Sequence, residues 1–134
     1  MKFQSTRNKD IKLSFSEAVL SGLSEEGGLF IPETLPEIDW KGLKERKDII
    51  VAALQPFLEG DILEGQLSQI VEKVFNFPIP LKKINEDTSI LELFHGPTCA
   101  FKDIGARFLA ECLERISKEK KLVLVATSGD TGGA

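Results

Sequence analysis

Three stretches of the chain repeat apolar side chains at the three-and-four spacing of a helix face. Ile49, Ile50, Ala53, Leu54, Phe57 and Leu58 form the first, in a helix expected from Asp48 that Pro56 should kink or end near its last turn. Leu63, Leu67, Ile70, Val71 and Val74 form the second, which must leave helical geometry before Pro78. Ile104, Phe108, Leu109, Cys112, Leu113 and Ile116 form the third, on a helix expected over residues 103–119. All three stripes read as packing surfaces. Start signals accompany them. Ser14 and Glu17 have capping-box spacing ahead of a short helix ending at Gly22, and Asp61 with Glu64 repeats that spacing before the second stripe. Asp39 is placed to cap a further helical stretch near Lys41.

Between the helices lie short apolar segments of strand character. Residues 3–6 form one, and Leu29, Phe30 and Ile31, held between Gly27-Gly28 and Pro32, form another. Residues 81–84 and 89–94 flank the polar turn Asn85-Glu86-Asp87-Thr88, which predicts a hairpin or two neighbouring strands. Residues 122–126, Leu-Val-Leu-Val-Ala, are apolar throughout, the pattern of a parallel strand buried on both faces. Strand, helix and strand from Ile90 to Ala126 then predict a βαβ unit, right-handed as nearly all are. The fold class is α/β. Residues 1–80 read as a mainly helical segment with short strands, and 81–134 as the start of an α/β domain. Because the chain stops at Ala134, before the helix that a Gly-rich loop after a strand should introduce, it reads as a fragment.

Composition adds mainly exclusions. The 134 residues are 42% hydrophobic and 28% charged, with a net charge of −4 and interspersed signs, which leaves no footprint for nucleic acid or an anionic membrane. The one basic run, Lys118-Glu119-Lys120-Lys121, contains an acid and reads as a solvated helix end. Cys99 and Cys112 lack metal-ligand spacing and the chain has one histidine, so no zinc site is expected and both thiols should be reduced. The first ten residues are polar, and no segment approaches the roughly eighteen apolar residues of a membrane span. A cytoplasmic enzyme is the expectation.

Two stretches carry candidate chemistry. The apolar run 90–94 meets Gly96-Pro97, turns, and delivers Lys102 to the start of the third helix. The partly positive end of a helix macrodipole disfavours added positive charge, so a lysine there is a candidate nucleophile. Taken singly, it is more often an ordinary surface lysine. Residues 127–133, Thr-Ser-Gly-Asp-Thr-Gly-Gly, follow the expected strand at its carboxyl end, where open α/β sheets bind ligands. Their glycines let N–H groups turn inward around a carboxylate or phosphate. The spacing is not that of a Walker loop, and a Gly-rich turn is more often only a turn. Arg7 offers a planar fork of donors for an anion but lies in a polar terminus, where arginines are usually solvated.

The string Glu92-Leu93-Phe94-His95-Gly96-Pro97-Thr98-Cys99-Ala100-Phe101-Lys102-Asp103 resembles the pyridoxal-phosphate lysine motif of the threonine synthases, enzymes of fold type II. Ser5-Thr6-Arg7, Gly27-Gly28-Leu29-Phe30-Ile31-Pro32 and the closing stretch 127–134 agree with that family, so the resemblance covers the whole chain. Phe3 departs from it, standing where a tyrosine is expected.

The resemblance implies that Lys102 carries pyridoxal 5'-phosphate as a Schiff base and moves protons at the substrate, with Phe101 and Asp103 beside the cofactor. It places the substrate's carboxylate on Ser128, Gly129, Asp130, Thr131 and Gly132, with Thr98 and His95 as further contacts. Asp130, an odd choice for an anion site, is expected to brace its loop by accepting N–H groups. Asp103 is expected to turn into the helix start and cap N–H groups rather than pair with the amine. The implied reaction converts O-phospho-L-homoserine and water to L-threonine and phosphate, a reaction this piece alone should not complete. Another pyridoxal-phosphate lyase of the same fold, a threonine dehydratase or phospho-lyase, and an inactive, non-enzymatic fragment remain alternatives. The family's cofactor-phosphate loop has no counterpart among these residues.

Overall fold

The computed structural model describes residues 1–134. In chain order it contains β1 (Phe3–Ser5), β2 (Lys12–Leu13), α1 (Phe15–Ser21), β3 (Phe30–Pro32), α2 (Arg46–Leu58), α3 (Leu67–Val74), β4 (Leu81–Lys83), β5 (Ser89–Leu91), α4 (Lys102–Ile116) and α5 (Asp130–Gly133). No helix is long and apolar enough to cross a membrane.

α3 is the hub. Leu67, Ile70, Val71 and Val74 recur at i, i+3, i+4 and i+7, and all four are buried against Leu58 of α2, Leu63, and Cys112 and Ile116 of α4. Burial pushes the Cys112 thiol up to about 11, so it stays protonated and packs as a small apolar group. Two arginines serve the carboxyl end of α3. Arg46 donates to the carbonyls of Phe75 and Phe77 at 2.9 Å each, and Arg107 donates to the Lys73 carbonyl at 2.8 Å while lying over the Phe77 ring. Two carbonyls of the helix end, those of Lys73 and Phe75, are thereby satisfied by cations, which also suit the dipole.

The three-stranded antiparallel sheet has the order β2-β1-β3, with Phe3 opposite Leu13 on one side and Pro32 on the other. An edge-to-face aromatic row leads from it into the helices: Phe3 to Phe15 at 5.7 Å between ring centres, and Phe15 to Phe108 of α4 at 6.3 Å. Phe3 therefore works through its ring, and this contact uses no phenolic hydroxyl.

The Ser5-Thr6-Arg7 and Gly27-Gly28 motifs meet beside the sheet. The buried Ser5 hydroxyl lies 3.0 Å from that of Ser24 and donates to Glu26 Oε1 at 2.6 Å. Arg7 donates to the Glu26 carbonyl at 2.7 Å. A Cβ at Gly28 would stand 2.2 Å from Ser5 Oγ and 3.1 Å from the Arg7 nitrogen, so only glycine permits this approach.

Several local expectations change. The α1 capping box forms, with Glu17 N–H donating to Ser14 Oγ and Ser14 N–H to Glu17 Oε2. The spacing at Asp61 does not produce one. Asp61 accepts instead from Leu63 N–H at 3.0 Å and from the Ser16 N–H and hydroxyl, so it holds the first turn of α1, and a 3-10 turn at Glu64–Gln66 precedes α3. Asp39 accepts from Lys41 N–H without starting a helix, because Gly42 adopts φ +78° and the chain stays irregular until Arg46. β4 and β5 pair antiparallel as a hairpin, Leu81 opposite Leu91. α4 ends at Ile116, before the expected 119.

The second strand of the expected βαβ unit is the main structural correction. Residues 122–126 pair with no other strand, and Leu122 and Leu124 stand 85% and 84% exposed. Apolar sequence supplies the faces of a strand, whereas the strand itself is its ladder, and here no other strand lies alongside residues 122–126 to form one. The mixed helix and strand class stands without that parallel pair.

Asp61 carries a pH dependence. Burial raises its carboxyl, but the hydrogen bonds from Ser16 and Leu63 outweigh that and hold it below the ordinary 3.8. The folded value is depressed, so its stabilisation is complete above the ordinary value and disappears as pH falls through the folded one. Asp61→Ala should cost about 1–2 kcal/mol near neutral pH. In thermal melts taken between about pH 6 and pH 2, the gap between wild type and variant should close towards the acid end. A constant gap would refute the assignment.

Candidate active site

The lysine turn is built by a break and a clamp. After β5 the chain reaches the buried Gly96, and Cys99 N–H donates to the Gly96 carbonyl at 3.1 Å. Cys99 itself lies in the left-handed region at φ +57°. Lys102 is then the first residue of α4, and Phe101 at the cap position offers no side-chain acceptor. Asp103, 1% exposed, turns back across the turn: its Oδ2 accepts from Thr98 N–H at 3.0 Å and its Oδ1 from the Thr98 hydroxyl at 2.7 Å. It avoids the amine, as expected, but the N–H group that it caps belongs to the turn and not to the helix.

Lys102 Nζ forms no ion pair and lies 5.9 Å from the Phe101 ring centre. It opens onto a cavity of about 850 Å³ in which it is the only charged residue. One wall of that cavity is a second face of α4. Gly105, Leu109 and Leu113 line it at a spacing of four, while Phe108, Cys112 and Ile116, at the same spacing, pack towards α3. The single stripe read from the sequence is thus two faces with different tasks. Val123 and Val125, from the run without a ladder, line the opposite side.

The glycine loop arrives at the same cavity. Thr131 and Gly132 line it together with Lys102 and Phe101, and a Cβ at Gly133 would stand 3.9 Å from the Thr98 methyl. The Thr127 hydroxyl organises the loop, accepting from Gly129 N–H at 2.8 Å and Gly132 N–H at 3.3 Å. Asp130, expected in that bracing role, begins α5 with its carboxylate accepting no hydrogen bond. The carboxylate is exposed, and the Thr127 hydroxyl already holds the loop N–H groups it would have braced.

Of the residues named from the sequence, Lys102, Phe101, Thr131 and Gly132 therefore share one cavity, and Thr98 lies near the loop but outside the lining. Asp103, Ser128, Gly129 and Asp130 lie outside its lining, as does His95, whose Nε2 meets Glu92 Oε2 at 2.7 Å and whose ring lies 4.7 Å from Phe94. Sequence reasoning missed Thr127 and Gly105. The first was visible as a hydroxyl directly before the glycines, the second as a residue too small for a stripe meant only to pack.

The family pattern described as threonine synthase N terminus matches residues 2–75, more than half of the chain. The chain belongs to the threonine synthase family. The threonine synthase of Haemophilus influenzae is 40% identical over 141 residues, a match covering all of this chain and 32% of the relative. That of Escherichia coli K12 is 39% identical over 140 residues, covering all of this chain and 33% of the relative. The crystal structure of Escherichia coli threonine synthase superposes with a TM-score of 0.80 at 37% identity, over 98% of this chain and 32% of that one. A PLP-bound threonine synthase from Brucella melitensis gives a TM-score of 0.71 at 34% identity, over 86% and 28%. The chain thus spans about a third of the length of the threonine synthases it matches.

Proposed function

We propose that this chain carries the lysine-bearing part of the active site of a threonine synthase, a pyridoxal-phosphate-dependent lyase that converts O-phospho-L-homoserine and water to L-threonine and phosphate. The observation that supports it is the meeting of Lys102 with Thr131 and Gly132 on one largely apolar cavity. Pyridoxal phosphate fits these residues: an amine without an ion-pair partner faces a water-poor wall, and Phe101 provides an aromatic surface beside it. When bound, the cofactor supplies an electron sink for a carbanion at the substrate's α carbon. Lys102 Nζ holds the cofactor and is the base that moves protons at the substrate's α and β carbons.

The loop of Ser128, Gly129, Asp130, Thr131 and Gly132 takes the substrate's carboxylate on the donors that Thr127 leaves free, the Gly129 and Gly132 N–H groups being held by its hydroxyl. His95 and Thr98 stand on the approach to it. The apolar α4 wall excludes water that would compete for the proton.

Incubation of the full-length protein with pyridoxal phosphate, borohydride reduction and peptide mapping should place the adduct on Lys102. Supplied with O-phospho-L-homoserine, the protein should release threonine and phosphate in equal amounts. Deamination of threonine in place of its formation would give the protein to a dehydratase of the same fold, and an unmodified Lys102 would remove the reading altogether.

A further inference from the structure

Asp103 is the most deeply buried ionisable side chain beside the cavity, and nothing in the proposed chemistry uses it directly. A carboxylate 1% exposed requires partners, and both of its partners come from one residue, Thr98. Gly96 closes behind it, where a Cβ would stand 2.4 Å from Asp103 Oδ2. The carboxylate does not serve the helix, since α4 has no side-chain cap. It serves the turn.

The N–H and the hydroxyl of Thr98 both go to Asp103. A continuous physical path therefore runs from Lys102 through the peptide bond to Asp103 and through two hydrogen bonds to Thr98, on the far side of the turn that delivers the lysine to the cavity. Lys102 occupies the first position of an uncapped helix, a place where backbones fray. The turn before it also holds Cys99 in a conformation that side chains rarely adopt. Charge-assisted hydrogen bonds are the strong kind, and two of them close this turn at the residue next to the amine.

We infer that Asp103 and Thr98 form a positioning clamp that fixes the Lys102 amine in the cavity. The inference rests on the proposed role of Lys102. Asp103 lies outside the cavity lining and acts through the turn, as a positioning residue.

The test uses Asp103→Asn, Thr98→Val and Thr98→Ser in the full-length protein. Asparagine either presents N–H to the Thr98 N–H or turns to donate to the Thr98 hydroxyl, and in both settings it loses the charge that strengthens these bonds. Valine keeps the shape but deletes the hydroxyl. Both should lower kcat on the order of 100-fold per mole of bound cofactor, the scale of a reacting group misplaced by about 1 Å. KM for O-phospho-L-homoserine should stay within about threefold, and Thr98→Ser should restore the rate. A purely structural role would lower the melting temperature and leave turnover per loaded site unchanged.

Wild-type kcat in both clamp variants, or Thr98→Ser as slow as Thr98→Val, overturns the clamp. If Asp103→Asn fails to fold, the valine and serine pair decides. A borohydride adduct on Lys102 in the wild type with a slowed adduct in the variants supports the clamp even without turnover. A wild type that forms no adduct overturns the functional reading and the clamp with it, whereas a normal wild type beside normal variants overturns the clamp alone.

Discussion

Lys102→Ala should abolish threonine formation by the full-length protein, with kcat falling on the order of 10³-fold or more. The size follows from the two tasks given to one amine, holding the cofactor and moving protons. Removing it loses both, and no second cation lines the cavity to substitute. The fold should not register the change. Lys102 Nζ makes no ion pair, and alanine is a better helix former, so stability should stay within about 0.5 kcal/mol. Steady-state kinetics beside a thermal melt separates the effects. Retention of a tenth of the rate would mean that another base does the work.

Ile70→Ala should be the most damaging change to stability. The side chain is fully buried at the centre of α3, in contact with a core to which α2 and α4 both contribute. Truncating such a residue costs about 2–5 kcal/mol, against a total stability for a typical domain of about 5–15 kcal/mol. Urea unfolding should show the loss as a lowered midpoint with an unchanged slope. Leu109→Ala is the informative partner. That leucine sits on the cavity face of α4 and is 44% exposed, so its truncation should cost under about 1 kcal/mol. Equal losses at the two positions would contradict the division of α4 into a packing face and a cavity face.

The helices were legible because each must hide an apolar stripe, and a stripe has a period. That is why Leu67, Ile70, Val71 and Val74 were read correctly as one buried face. The same logic misjudged α4, where two faces with a spacing of four lie side by side and periodicity cannot tell protein from cavity. Asp61 had the spacing of a cap, yet Ser16, distant in sequence, won its carboxylate. Residues 122–126 had the composition of a strand, but composition does not supply a neighbour. In the site, Lys102 and the glycine loop were legible as motifs. The Asp103 to Thr98 bonds were not, because they depend on a turn whose shape is set by Gly96 and by the left-handed Cys99.

The anchoring of α4 has a mechanical consequence. The helix is held from Arg107, which donates to the Lys73 carbonyl, through Phe108, Cys112 and Ile116 in the core, while Lys102 stands at its opposite end. Five residues separate Arg107 from Lys102, a lever of about 7.5 Å at helical rise. Pivoting that lever by about eight degrees carries its tip by about 1 Å, a displacement able to change a reaction rate by on the order of 100-fold. Small volume changes among the α3 side chains would then be amplified along α4, and the packing of a region with no chemistry of its own would set the aim of the amine.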